Sequence, residues 1–171
     1  MPPGGGLLIA HFFGFAGLAA IVFAWQFQSR SMILVFNLFA FVLFAIEQYL
    51  LGSYVGAGMM LAAVLLALAA LRTPRWQLGV ALVAVPIGLA TPSIRHWYDL
   101  LPMIAHCTGA VAFFQKSTRK LRHWAPVGTV LWAVYNAIIG AWGQFMADLF
   151  ILTSMALGYA RNRKSSTGRI R

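Results

Sequence analysis

Only three acidic residues occur in this chain, and two of them stand where a charge is expensive. Glu47 and Asp148 each fall within a long apolar run, and so do His11, His106, Gln48, Asn136 and Gln144. A charged side chain at the centre of a bilayer costs roughly 2.5–3.5 kcal/mol on insertion scales, so an acid placed there faces a bundle interior or a wet cavity. The chemistry open to such groups is proton binding and the recognition of a small solute. Helical spacing sorts them further. Asn37, Phe41, Phe44 and Gln48 advance by four, three and four and share one helix face. Gln144 and Asp148 share another at i, i+4. Apolar walls with a few convergent polar groups are the form of a small-molecule site. A plainer reading stands beside this one: amides in membrane helices also tie helices together, at about 0.6 kcal/mol each.

Other chemistries find no support. His11 and His106 enter at different depths, which does not suit a pair of haem ligands. No Ser-His-Asp arrangement, glycine-rich phosphate loop or zinc spacing is visible. Cys107 is the single cysteine and lies in an apolar segment, so no intrachain disulfide is possible. No enzyme, cofactor or metal is expected.

The elements that must position these residues are membrane helices. The chain is 61% hydrophobic and 9% charged, against about 25% charged in soluble domains. Apolar runs near the length of a bilayer crossing recur throughout. Seven spans are expected: Leu7–Phe27, Met32–Leu51, Tyr54–Leu71, Trp76–Ala90, Asp99–Gln115, His123–Ile139 and Trp142–Ala160. The start, MPPGGG, carries no Lys or Arg, so the first run reads as a retained span rather than a cleaved signal.

Charge tests the count. Of the 13 Lys and Arg residues, all but Arg95 fall in odd-numbered loops or the basic tail 161–171. The positive-inside rule then puts the N-terminus outside and the C-terminus in the cytoplasm, beside anionic lipid. The fourth span is short and carries Pro86, but omitting it would spoil this asymmetry. The basic residues lie between apolar runs, a distribution for membrane orientation and not for nucleic acid. Trp25, Trp76, Trp97, Trp124 and Trp142 fall near span ends, as an interfacial aromatic belt requires, whereas Trp132 lies within a span.

One stretch is written twice, in residue class more than in identity. Phe44–Tyr54 (FAIEQYLLGSY) aligns without a gap on Trp132–Trp142 (WAVYNAIIGAW), 88 residues on. Phe44 meets Trp132, Gln48 meets Asn136, and Gly52 meets Gly140. The expected fold is therefore all-α and polytopic, one membrane domain over residues 1–160. Repeat one covers 7–72, a linker helix 76–90, and repeat two 99–160, the two being parallel three-helix groups. Under the same offset the stripe on the second span falls on Ala125, Thr129, Trp132 and Asn136. Gly14 falls on Pro102; with Pro126 these are candidate hinges. Gly52-x-x-x-Gly56, followed by Gly58, Ala62 and Ala63, reads as close helix packing.

LLGSYVGAG (Leu50–Gly58), LRT (Leu71–Thr73), DLLPMIAHCTG (Asp99–Gly109) and NAIIGAWGQFMADLF (Asn136–Phe150) together resemble the YgjV-like bacterial inner membrane proteins, over roughly Gln28 to Lys164. The resemblance implies a multi-pass inner membrane location and supplies no activity. The 3+1+3 plan is also similar to that of SWEET and PQ-loop transporters. Their helix-bending prolines are matched here at Pro102 and Pro126, with Gly14 and Leu38 in the first repeat, and there is no PQ dipeptide.

The function these features favour is small-molecule transport, of sugar or metabolite type. Phe44, Gln48, Trp132, Asn136 and His106 are the candidate substrate contacts, and His11, Glu47, Asp148 and Gln144 the candidate proton-coupling or buried polar groups. The competing expectation is a non-transporting inner membrane protein, lipid-binding or an assembly factor, whose polar residues are structural. An open cavity reaching Gln48 and Asn136 would favour the first; amides bonded only to each other would favour the second.

Overall fold

Backbone that lies in lipid must satisfy its own hydrogen bonds, and the apolar runs of this chain do so as helices. The computed structural model describes residues 4–72, 76–115 and 117–167, with seven α-helices and no strand among them. They are α1 (Gly4–Gln26), α2 (Arg30–Leu50), α3 (Tyr54–Arg72), α4 (Trp76–Ala90), α5 (Leu100–Phe113), α6 (Thr118–Ile139) and α7 (Trp142–Thr167). Short 3₁₀ turns at Thr91–Ser93 and Trp97–Asp99 lead from α4 into α5. Each helix overlaps one expected span. α5 is the most shortened, at 14 residues, losing Asp99 to the 3₁₀ segment and Phe114 and Gln115 at its other end. There Asp99 accepts backbone N–H bonds from Arg95 and His96, both at 2.9 Å, a purely local role. α7 continues through residues 161–167, so the first part of the basic tail is helical. Arg75, Lys116, Arg169 and Arg171 lie outside the described residues.

Among the described residues, three helices are long and apolar enough to cross a membrane by length and composition: Gly6–Gln26, Arg30–Leu50 and Tyr54–Arg72. Gln77–Ser93 is a shorter apolar segment. Large apolar side chains point outward from every helix, among them Leu8, Phe39, Leu65, Leu89, Ile104, Val130 and Met146. The small and polar residues face inward. Ala62, Ala63 and Gly56 are buried on α3, whereas Gly58 faces open space.

Local geometry repeats at the 88-residue spacing. Ser29 precedes α2 and Ser117 precedes α6; Ile33 N–H bonds Ser29 O, and Leu121 N–H bonds Ser117 O. At the far ends, Gly52 (φ 81°) and Gly140 (φ 74°) take the left-handed conformation that glycine adopts freely. These turns let Ser53 N–H reach Gln48 O and Ala141 N–H reach Asn136 O, each at 2.9 Å.

α2 and α6 run in the same direction. Their starts meet through Leu34 and Leu121, which share a small core with Ala70; their ends meet through the side chains of Gln48 and Asn136. α1 packs on α2 and α7, α2 on α3, α5 on α6, α6 on α7, and α3 on α5. The contacts α1–α7 and α3–α5 correspond to each other when the helices are matched at this spacing. α4 leans on α3 and α5.

Candidate functional site

The inward stripe of α2 and its counterpart on α6 face each other across a cavity of about 100 Å³. Every helix except α4 contributes to its wall. Asn37, Phe41 and Phe44 line it from α2; Ala125, Thr129 and Trp132, at the matching positions, line it from α6. Met60 of α3 and Asp148 of α7 form another matched pair, as do Ile21 and Gly109. Phe44 and Trp132 therefore stand on the wall, and His106 joins them from α5. The Nε2–H of His106 is committed to the carbonyl of Leu82 at 3.2 Å, tying α5 to α4.

Gln48 and Asn136 do not reach the wall. Both are fully buried and bonded, respectively, to Gln144 and Asp148, which do line it. The Gln48 amide donates to Asn136 Oδ1 at 3.2 Å and to Gln144 Oε1 at 2.7 Å. The Asn136 amide donates to Asp148 Oδ2 at 2.8 Å, and the Gln144 amide reaches Met60 Sδ at 3.8 Å. A residue and its counterpart 88 positions later are thus hydrogen-bonded to each other. Gln144 and Asp148 belong to both this network and the cavity wall.

Behind the network lies a second acid. Glu47 is 0% exposed, and its carboxyl sits where a Cβ on Gly14 would be, so Gly14 is the seat that admits it. His11 Nδ1 stands 3.7 Å from Glu47 Oε1. The carboxyl also lies near the first-turn backbone N–H groups of Gly143 and Gln144 in α7, outside hydrogen-bond geometry. Gly143 is equally tight, its would-be Cβ falling on the backbone of Gly14 and Phe15. Of the candidate hinges, Pro102 is the third residue of α5, where a missing N–H costs nothing. Pro126 is inside α6 and leaves one turn without its bond.

The opposite end of the bundle is held by a residue that sequence reasoning treats only as an orienting charge. Arg30 Nε donates to Gln115 O at 2.9 Å, and Nη2 to Phe113 O at 2.7 Å and Ala70 O at 3.1 Å. One guanidinium from the start of α2 caps the carbonyl ends of α3 and α5, a favourable place for a cation. Its signal in the sequence is isolation: it is the lone charge between the first two apolar runs. Ser53 and Tyr135, hydrogen-bonded near the Gln48 end, also escape a reading of the sequence. No group of three or more His, Cys, Asp or Glu suited to a metal occurs among the described residues.

A helical bundle with an apolar exterior and a buried polar interior is the design of an integral membrane protein. The family model Imp-YgjV, described as a bacterial inner membrane protein, matches residues 8–166, and the chain belongs to that family. No curated protein and no solved structure matches the chain.

Proposed function

We propose that this protein is a small-molecule transporter of metabolite type, with its substrate site in the cavity between two parallel three-helix halves. In this reading all seven helices cross the membrane, α4 being the linker, and the halves are related by an axis along the membrane normal, the plan of SWEET transporters in architecture alone. Apolar residues exposed on every helix support seven crossings. By the positive-inside rule the Gln48 end faces outward and the Arg30 end faces the cytoplasm; a reporter fused after Arg171 is then cytoplasmic, and a periplasmic one would remove a span. Glu47, His11 and Asp148 are the groups through which transport would be linked to protons.

The observation that carries this reading is the cavity itself. It takes matched positions from both halves and lies between a polar closure at one end and the Arg30 tie at the other. Two closures flanking one site are what alternating access requires. The test is a metabolite screen by thermal shift and liposome uptake, repeated on Gly109→Leu. A Cβ at Gly109 meets nothing within 4 Å, so a larger side chain there fills the cavity without strain at the backbone. Ligand stabilisation and uptake should vanish together in the variant.

A second reading keeps a specific observation in its favour. Gln48 and Asn136 are buried and bonded only within the bundle, as structural polar residues of a lipid-binding or assembly protein would be. Ligand-independent stability in the wild type, with normal folding of Gly109→Leu, would select it.

A further inference from the structure

The cavity has a charge asymmetry that narrows what it can hold. Asp148 is the one carboxylate on its wall, and no Lys or Arg is among the described residues lining it. Asp148 Oδ2 accepts from Asn136, and among the described residues this is its one side-chain hydrogen bond, which leaves Oδ1 for a ligand. The remaining wall is mostly aliphatic, with the rings of Phe41, Phe44, Phe113 and Trp132 set among small apolar residues. Resting on the reading of this cavity as a substrate site, we propose that its substrate class is a small organic cation, an alkylammonium whose N–H group donates to Asp148 Oδ1 while its carbon body lies against the aromatic faces.

The chemistry follows from each part of the wall. A carboxylate in an apolar enclosure needs a counter-charge, and none is supplied by the protein at that depth. Aromatic faces attract cations most where water is excluded. The volume, about 100 Å³, admits a branched amine of a few carbons and is small for a hexose. The groups that could change Asp148's surroundings are few. From α2, Glu47 lies behind Gln48; from α1, His11 lies beyond Glu47. From α5, His106 is turned to Leu82, and from α6, Tyr135 is paired with Ser53; α3 presents Met60. None is a fixed cation. A proton and an ammonium therefore compete for the same carboxylate, and exchange of one for the other needs no second acid on the wall.

The test uses the full chain in lipid nanodiscs with two probes of the same shape, isobutylamine, protonated at neutral pH, and isobutanol. Calorimetry in buffers of different ionisation enthalpy reads both affinity and proton release. The amine should bind roughly tenfold or more tightly than the alcohol, since a charge-assisted hydrogen bond and a desolvated cation–π contact separate them. Its affinity should fall as pH falls, with a proton released on binding. Asp148→Asn should bring the amine down to the alcohol's affinity and leave the alcohol unchanged; Gly109→Leu should abolish both. Equal binding of the two probes to the wild type overturns the cation assignment but keeps the cavity as a ligand site, and needs no variant to fold. Binding of neither probe, or binding untouched by Gly109→Leu, overturns both.

Discussion

Replacing Gly143 by alanine should destabilise the protein, against the usual direction for a glycine in a helix. An added Cβ would lie 2.5 Å from Gly14 Cα and 2.6 Å from Phe15 N, where ordinary contact begins at 3.4 Å. The obstacle is backbone, which has no rotamer to change, so α1 and α7 must part by about 1 Å. Overpacking of this kind costs typically 1–3 kcal/mol, while alanine returns up to about 1 kcal/mol in helix propensity. Gly58→Ala is the control. It carries the same propensity gain in α3, but a Cβ there meets nothing within 4 Å. The difference between the two variants isolates the steric cost, so Gly143→Ala should be less stable than Gly58→Ala by roughly 1–3 kcal/mol. Reversible unfolding in mixed micelles measures it. Equal stability of the two would mean that α1 and α7 do not meet at Gly14 and Gly143, and the seat of Glu47 would fall with that contact.

Three further outcomes are expected. Arg30→Ala should cost about 1.5–3 kcal/mol, the range for hydrogen bonds to a charged group, and Arg30→Lys should not restore it, because an ammonium cannot span three carbonyls; thermal denaturation of both variants decides this. Gly52→Ala and Gly140→Ala should each lose roughly 1–2 kcal/mol through the left-handed conformation alone, and near-equal losses in unfolding would support the equivalence of the two turns. Asn136→Leu should be worse than Gln48→Leu, because it strands a buried carboxyl, at about 1–3 kcal/mol, whereas amide ties in membrane helices average about 0.6 kcal/mol; the reverse order in unfolding would remove Asp148 from the network.

Much of this architecture is legible in the sequence. Apolar length finds the helices because lipid leaves the backbone no other choice, and the 88-residue spacing pairs Gln48 with Asn136 as the fold does. The direction of the amides is not legible. Spacing puts Gln48 on the same face as Phe44, but one further turn carries it off the cavity wall to a place between α6 and α7, where its amide donates to both Asn136 and Gln144. Gly14 reads as a hinge because glycine weakens a helix; in the fold it is the space that Glu47 occupies. Arg30 counts as one charge among many, since nothing local announces that two helix ends will converge on it.

On the proposed two-repeat plan, positions 88 residues apart face one cavity but do not carry the same chemistry. Where the first half offers Phe44, the second offers Trp132; against Phe41 stands Thr129, and against Met60 stands Asp148. Asn37 is the exception, facing Ala125, and its amide is turned back to the carbonyl of Ile33 within its own helix. Thr129, like Asn37, is turned back to a carbonyl of its own helix, so the acidic group facing this wall of apolar and aromatic side chains comes from α7. In the proposed substrate site an amphipathic solute would be held in one orientation, its polar end toward Asp148. In the proposed transporter the closures at the two ends differ, an amide network at Gln48 and a guanidinium at Arg30, and the solute between them would meet the carboxyl of α7 and the aromatic rings of α2, α5 and α6. On the same proposal a change at Asp148 should alter what is bound, a change at Arg30 should alter both the closure at that end and the stability of the bundle, and a change at Gly143 should act through stability alone.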